Sequence, residues 1–375
     1  MTQRFIYFSV TDYEMALQTL YLKDFRLFNQ KKIDLSGNNT IIVGDNGSGK
    51  TSVLEAINIL LDGTSHRTKE IKECVREGGG EFQIALNGRF NQELISSKAV
   101  KALDKRISFI KKKGLLPGKA KDLPIPSLIL ASHLRMIEGE PELRRAFFNK
   151  TMFHVEQSSK ESYLKYQRAL IQRNKALKGR LPEKELIIWT NNLRDAGLEL
   201  NKKNLLYFVR LEETIQASLK ETKNRENLTF LEGLELQFNQ GWSRELEFGA
   251  FLNETFDKDK ALGFTGGGPH RLDLIISIGK KRAKSLLSRG QQKLLILLLF
   301  INIYSLINQY HLAGLVFLID DITSEMDEEN LSVILKELKS LKSQIILTAL
   351  DGKIANKTSN LLDEFTHIKL SNKLK

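Results

Sequence analysis

A run of apolar and β-branched residues, Thr40-Ile41-Ile42-Val43, passes directly into Gly44-Asp45-Asn46-Gly47-Ser48-Gly49-Lys50-Thr51 and then into Ser52-Val53-Leu54-Glu55-Ala56-Ile57-Asn58-Ile59-Leu60-Leu61. Few folds accommodate that order. The first segment has the residues of a buried strand. The second fits G-x-x-x-x-G-K-T, the P-loop pattern. The third sets Val53, Leu54, Ile57, Leu60 and Leu61 on one face at helical spacing. Strand, glycine loop and helix together form a phosphate cradle. Gly44, Gly47 and Gly49 let successive backbone N–H groups turn inward, and the loop opens onto a helix N-terminus whose dipole favours an anion. Lys50 supplies a charge for the β- and γ-phosphates of ATP, and the Thr51 hydroxyl can bind Mg²⁺. The nucleotide-contacting set is therefore Gly44, Asp45, Asn46, Gly47, Ser48, Gly49, Lys50, Thr51 and Ser52.

A P-loop needs a second carboxylate site for the metal. Gly314-Leu315-Val316-Phe317-Leu318-Ile319-Asp320-Asp321 reads as a buried strand ending in two acids. Asp320 is expected to hold Mg²⁺, directly or through water. Asp321 is expected to orient or deprotonate the attacking water, which with Lys50 makes the catalytic pair. Between the two motifs, Ser288-Arg289-Gly290-Gln291-Gln292-Lys293 precedes a long apolar helix. A Ser there is an ordinary N-cap; its place between the P-loop and Asp320 favours a second phosphate-facing helix N-terminus. Such a site cannot serve the same face of the nucleotide as Lys50, so it is expected to serve the γ-phosphate of a second copy, in trans.

The charge balance narrows the partners. The chain has 375 residues, enough for two or three domains. Its formal net charge of +12 favours a polyanion, nucleic acid or a membrane surface. Lys98, Lys101, Lys105, Arg106, Lys111, Lys112, Lys113, Lys119 and Lys121 are opposed only by Asp104 in that stretch. It reads either as a solvated loop or as a DNA-backbone contact carried by Lys105, Arg106, Lys111, Lys112 and Lys113. The single cysteine, Cys74, excludes an internal disulfide and suits a reducing cytosol. No secretory segment is evident. The apolar run Leu294 to Ile307 is shorter than the ~20 residues of a membrane span, and a buried helix is expected there.

In chain order, Met1 to Gln18 shows no pattern, and Leu20-Tyr21-Leu22 and Ile33-Asp34-Leu35 read as short strands. Phe82 to Arg89 alternates as a strand, and Arg106 to Ile110 is another candidate. Pro124-Ile125-Pro126 marks a boundary. From Pro141 to Glu221 helix formers dominate. Two or more long antiparallel helices are expected, joined near Gly179-Arg180-Leu181-Pro182, the second carrying Leu193, Leu200, Leu206, Val209 and Leu211. Leu228 to Phe248 reads as strands and a turn, and from Leu272 the alternation of an α/β domain returns.

Taken together, the P-loop, Ser288–Lys293, the strand ending Asp320-Asp321, and Ser324-Glu325-Met326-Asp327 resemble the Walker A, signature, Walker B and D-loop of an ABC-type ATPase head. More narrowly the chain resembles the bacterial RecF family, from about Leu20 to His367. The matching pieces are Ser65-His66-Arg67-Thr68, Leu143-Arg144-Arg145-Ala146-Phe147, Phe153-His154-Val155-Glu156, Tyr166-Gln167-Arg168-Ala169-Leu170, Arg173-Asn174 and Gly268-Pro269-His270-Arg271. The resemblance implies an α/β fold, an ABC-type P-loop ATPase head with an inserted, mainly helical second lobe. Head sequence is expected at 1–125 and 266–375, and the lobe at 126–265. It implies a signature of Ser288, Arg289, Gly290 and Gln291 acting in trans and a D-loop of Ser324, Glu325 and Asp327. It implies ATP and Mg²⁺ as cofactors, a slow, DNA-stimulated ATPase, and an ATP-dependent homodimer on double-stranded and gapped DNA. It also implies RecA loading with RecR and RecO, a place in DNA replication, recombination and the SOS response, and a cytoplasmic protein without a membrane partner.

Four features depart from that pattern. Leu115 to Gly139 contains no Gln, where ABC heads usually carry one. The acid after Asp320 is Asp321 rather than Glu. Thr348 follows the expected strand Ile345-Ile346-Leu347, where many ABC heads place a His. The residues before Leu20 extend beyond the usual family start, and a working start at Met15 is expected, since Met1 to Glu14 shows no pattern. The rival readings are an ATP-binding subunit of a membrane transporter, an SMC- or Rad50-like head, for which the chain between Thr51 and Ser288 is too short and lacks heptads, and a nucleotide-stabilised scaffold without turnover.

Overall fold

The computed structural model describes residues 15–36, 39–90, 93–114, 116–117, 123–156, 158–222, 226–310, 314–324, 326–341, 343–350 and 365–371. Residues 1–14, Lys119, Lys121 and Glu325 lie outside the described residues, and the expected start, Met15, is the first residue described. In chain order the elements are β1 (Met15–Phe25), β2 (Phe28–Asp34), β3 (Asn39–Gly44), α1 (Lys50–Asp62), β4 (Glu81–Phe90), β5 (Glu93–Ala102), β6 (Ser108–Lys113), β7 (Leu116–Pro117) and β8 (Ile125–Ile129). Next come α2 (Arg135–Glu138), α3 (Pro141–Val155), α4 (Ser159–Lys178), α5 (Glu183–Thr222), β9 (Leu234–Asn239), α6 (Phe248–Glu254), α7 (Phe256–Leu262), β10 (Asp273–Ile278), β11 (Lys281–Arg282) and α8 (Arg289–Asn308). The last are β12 (Leu315–Ile319), α9 (Glu328–Ser340), β13 (Gln344–Leu350) and β14 (Thr366–Leu370).

Two compact units result, 1–132 with 311–375, and 133–310. This division differs from sequence boundaries at 125/126 and 265/266, because β10 and α8 pack within the second unit. In the first unit an antiparallel sheet runs β2-β1-β4-β5-β6-β7, and a parallel sheet runs β14-β3-β13-β12-β8. Helix α1 packs against strands of both. Every residue from Ser52 to Leu61 is therefore buried, where the sequence pattern indicates a single apolar face. Covering a helix on both sides removes the need for a polar face.

Several sequence expectations change. Met15 to Gln18 belongs to β1. The end of strand β5, to Ala102, and strand β6, Ser108–Lys113, lie in the lysine-rich stretch that reads as a solvated loop, because lysines on the solvent side mask their alternation. Pro126 sits within a fully buried strand, β8, rather than at a boundary. Its place is explained by the sheet edge: among the described residues β8 pairs only with β12, and a residue without an N–H is tolerated there.

The second unit is built on α3, α4 and α5, with the antiparallel sheet β11-β10-β9 and the buried helix α8. Helix α5 runs 40 residues and turns Leu193, Leu200, Tyr207, Leu211 and Ile215 inward, leaving Leu206 and Val209 exposed, against the sequence pattern. The start of α6 at Phe248 takes the place of a strand expected up to that residue. Helix α8 is long and apolar enough to cross a membrane, but 78% of its most apolar stretch is buried within the chain, as in a core helix.

Candidate nucleotide site and basic sheet face

The loop after β3 is shaped by two close approaches. Gly49 has φ +96°, and a Cβ there would come within 2.5 Å of the Phe28 ring. A Cβ on Gly44 would meet the Leu370 carbonyl at 2.5 Å and Ser48 Oγ at 2.6 Å. Only glycine fits either position. The loop then opens α1 with no side-chain cap, as a helix N-terminus suited to an anion requires. Lys50 Nζ bends back to donate to the carbonyls of Gly44 at 2.8 Å and Asp45 at 2.9 Å. Ser48 Oγ is buried and has no protein partner, an orphan that a phosphate oxygen would satisfy.

The end of β12 meets this loop. Thr51 Oγ1 donates to the Asp320 carboxylate, 3.1 Å from one oxygen and 2.9 Å from the other. Thr348 Oγ1 donates to Asp320 Oδ1 at 2.7 Å. The Asp321 backbone N–H donates to the same Thr348 oxygen at 2.8 Å. Asp321 has φ 48°, a left-handed conformation unusual outside glycine. A hydroxyl and a carboxylate converging at the mouth of a phosphate loop fit Mg²⁺, a hard ion that takes one or two protein oxygens and completes its shell with phosphate and water. Among the described residues no group of three or more His, Cys, Asp or Glu could hold a metal by itself.

Glu55 is a site residue whose role sequence reasoning missed. It lies on α1 with its side chain fully buried, yet it pairs with Arg26 at 2.6 Å and accepts from Ser65 Oγ at 2.5 Å. Arg67 Nη1 approaches Glu55 at 3.6 Å and Ser52 Oγ at 3.4 Å. Burial alone would raise the Glu55 pKa; the Arg26 and Ser65 hydrogen bonds outweigh it and hold the carboxyl below its ordinary range. The Ser65–Thr68 loop is thereby clamped to the P-loop helix. Both ring nitrogens of His66 in that loop are buried without a protein partner, and burial lowers its pKa. Cys74 Sγ lies 3.7 Å from Glu55, and burial first, then that carboxylate, push its thiol up to about 12. The available signal was an acid set among the apolar residues of a P-loop helix.

Ser288 caps α8 in a capping box, its Oγ accepting from the Gln291 N–H at 3.3 Å while Gln291 Oε1 accepts from the Ser288 N–H at 3.0 Å. Arg289 pairs with Glu138 at 3.0 Å, and Gly290 is the second residue of the helix. Of the D-loop set, the Ser324 N–H donates to the Asp321 carbonyl at 3.3 Å. Asp327 caps α9, accepting from the Asn330 N–H at 2.7 Å.

The antiparallel sheet divides the basic cluster. Register places Lys32, Tyr21, Ala85, Lys98 and Ile110 across one row of its solvent face. The next rows along that face bring Lys23, and then Lys112, to the same side. Lys32 Nζ sits 5.6 Å from the centre of the Tyr21 ring. Lys111 and Lys113 alternate to the other face. Lys111 Nζ is 3.4 Å from the Leu61 carbonyl at the end of α1, and burial lowers its pKa. Lys113 pairs with Glu93 at 3.2 Å. Lys105 and Arg106 stay exposed in the β5–β6 turn. The five residues expected to act together are thus not one surface.

In the second unit the Gly268–Arg271 segment is held by buried polar pairs. Arg173, fully buried, donates to Asp259 at 2.7 Å and Thr265 Oγ1 at 2.8 Å. The Tyr166 hydroxyl meets His270 Nδ1 at 2.7 Å. Arg144 grips Asp273 with two nitrogens at 2.7 and 2.8 Å. These residues order the loop.

A P-loop between an antiparallel and a parallel sheet, facing a β12 aspartate, defines an ABC-type ATPase head of the SMC kind. Residues 16–372 match the RecF/RecN/SMC N terminal domain family. The chain is 31% identical over 341 residues to the DNA replication and repair protein RecF of Pseudomonas fluorescens (strain Pf0-1), covering 84% of this chain and 85% of that one. It is 30% identical over 344 residues to that of Teredinibacter turnerae, covering 90% and 89%. It belongs to the RecF family. The solved structure of the recombination mediator protein RecF–ATP in the RecFOR pathway superposes with a TM-score of 0.76 at 22% identity, over 93% of this chain and 95% of that one. The Smc head domain of Pyrococcus furiosus, bound to the C-terminal domain of ScpA, superposes with 0.51 at 15% identity, over 95% and 93%.

Proposed function

We propose that this chain is an ATP-dependent DNA-binding protein of recombinational repair and replication restart in the cytoplasm. It dimerises around ATP on duplex or gapped DNA and promotes RecA loading with RecR and RecO. The observation that carries the reading is the convergence of Thr51 and Asp320 at the mouth of the P-loop. Family membership supports the pathway, and favours this reading over a transporter subunit.

The chemistry follows from the residues. The N–H groups of Gly47 to Thr51 and the Lys50 ammonium bind and orient the β- and γ-phosphates. Mg²⁺, when bound, neutralises charge on those phosphate oxygens. Thr51 and Asp320 would hold it. Asp321 orients the attacking water and takes up its proton. Ser288, Arg289, Gly290 and Gln291 of one copy close over the γ-phosphate held by the other, with Ser324 and Asp327 beside the dimer seam. ATP thus joins the copies, and hydrolysis, slow and stimulated by DNA, parts them. The sheet face bearing Lys23, Lys32, Lys98 and Lys112, with Lys105 and Arg106 at its border, holds the DNA backbone.

Phosphate release and DNA retention test this together. Turnover that rises with gapped duplex and requires Mg²⁺, with retention of DNA in ATP but not ADP, is expected. DNA binding indifferent to nucleotide would refute the gating.

A further inference from the structure

Thr348 lies within β13, between the P-loop strand β3 and the acid-bearing strand β12, and is fully buried. It therefore does not follow the strand, as its comparison with a switch His requires. Its hydroxyl proton goes to Asp320 Oδ1 at 2.7 Å, and its oxygen accepts the Asp321 N–H at 2.8 Å. Its carbonyl accepts the Ile322 N–H at 3.0 Å. One residue thus contacts three consecutive positions of the acidic turn.

We propose that Thr348 is the positioning residue of the acid pair: its hydroxyl aims the Asp320 carboxylate at Thr51 and holds Asp321 in its left-handed conformation. The proposal rests on the ATPase reading above. The chemistry singles out a hydroxyl. A hydroxyl gives one proton and accepts at its lone pairs, so it can serve a carboxylate and an N–H at once. A non-glycine residue with φ 48° is held only where its surroundings over-determine it, and the Thr348 oxygen is one of those constraints. With Oδ1 engaged by Thr348, Oδ2 is the nearer acceptor for Thr51, at 2.9 Å. Valine has the same shape without either hydrogen bond: the half-buried Asp321 N–H loses its Thr348 acceptor, and Asp320 Oδ1 keeps only the longer Thr51 contact at 3.1 Å.

The test compares Thr348→Val and Thr348→Ser with the parent chain. Two quantities are measured: affinity for a non-hydrolysable ATP analogue with and without MgCl₂, and steady-state ATP turnover. Thr348→Val should bind the analogue without Mg²⁺ within about threefold of the parent, lose most of the Mg²⁺-dependent gain, and drop about 10- to 100-fold in kcat, the loss expected for one or two hydrogen bonds to a charged or partly buried group. Thr348→Ser should restore both. If Thr348→Val does not fold, Thr348→Ala carries the same comparison. A parent-like Mg²⁺ gain and kcat in the valine or alanine variant overturns the proposal. A parent that shows the Mg²⁺ gain without turnover defeats the hydrolysis reading while the binding comparison still decides the role of Thr348. A parent with no Mg²⁺ gain defeats the reading and the proposal together.

Discussion

The Thr51 hydroxyl and the Asp320 carboxylate, 269 residues apart in sequence, meet at 2.9 Å. Sheet order brings them together: β3, which launches the P-loop, and β12, which ends in Asp320, are separated only by β13. In a parallel sheet all three strands end on one side, so their C-terminal residues share an edge.

Two substitutions at this edge should separate charge from metal. Lys50→Ala removes the ammonium proposed to reach the phosphates and should weaken ATP about 10- to 100-fold, by titration calorimetry. Thr51→Val should keep metal-free ATP affinity within a few-fold and lose the gain on adding Mg²⁺. Equal losses for both variants with and without Mg²⁺ would contradict the assignment of Thr51 to the metal.

The sheet register predicts which lysines matter for DNA. Lys98→Ala and Lys112→Ala should each reduce the slope of log K against log[salt] by about one phosphate's worth, ~0.9, for every duplex sequence alike. Lys111→Ala should leave that slope unchanged and lower thermal stability, because its ammonium meets the end of α1. A slope change at Lys111 and none at Lys112 would place the interface on the opposite face.

The P-loop and the strand ending in Asp320 were legible because each depends on a local pattern, glycines at fixed spacing and an apolar run ending in acids. The division of Lys111 from Lys112 was not, since a period of two emerges only once β6 is known to be a strand. Glu55 was hidden for a related reason. A carboxylate on a helix reads as solvent-facing until a second sheet covers that side, and its partner Arg26 lies on a hairpin turn 29 residues away. Thr348 shows in sequence only as a residue standing where many ABC heads place a His, because its hydroxyl partners, Asp320 and Asp321, follow a different strand.

Acid should loosen the second unit through His270. Burial first, and then Arg271, Arg145 and Arg173, lower its pKa to about 4 against an ordinary 6.5, although the Thr265 carbonyl acts in the other direction. The unfolded chain then binds the proton more readily than the folded one. Stability from this group is full above pH 6.5 and is lost as pH falls toward 4. His270→Gln should flatten the fall of thermal midpoint across that window while costing stability at pH 7 through the Tyr166 contact. An unchanged pH dependence would show that another group governs it.

The ATP-joined dimer is tested most directly by molar mass, measured by light scattering in ATP and Mg²⁺, on Asp321→Asn and on Asp321→Asn combined with Ser288→Arg. Asp321→Asn keeps the shape of the site and removes the base, so it should bind ATP, double in mass and stay doubled. The combined variant should bind ATP equally well and remain at monomer mass, because an arginine at the α8 cap blocks the γ-phosphate of the other copy. A monomeric Asp321→Asn in saturating ATP, or loss of ATP binding by the monomeric double variant, would contradict the account.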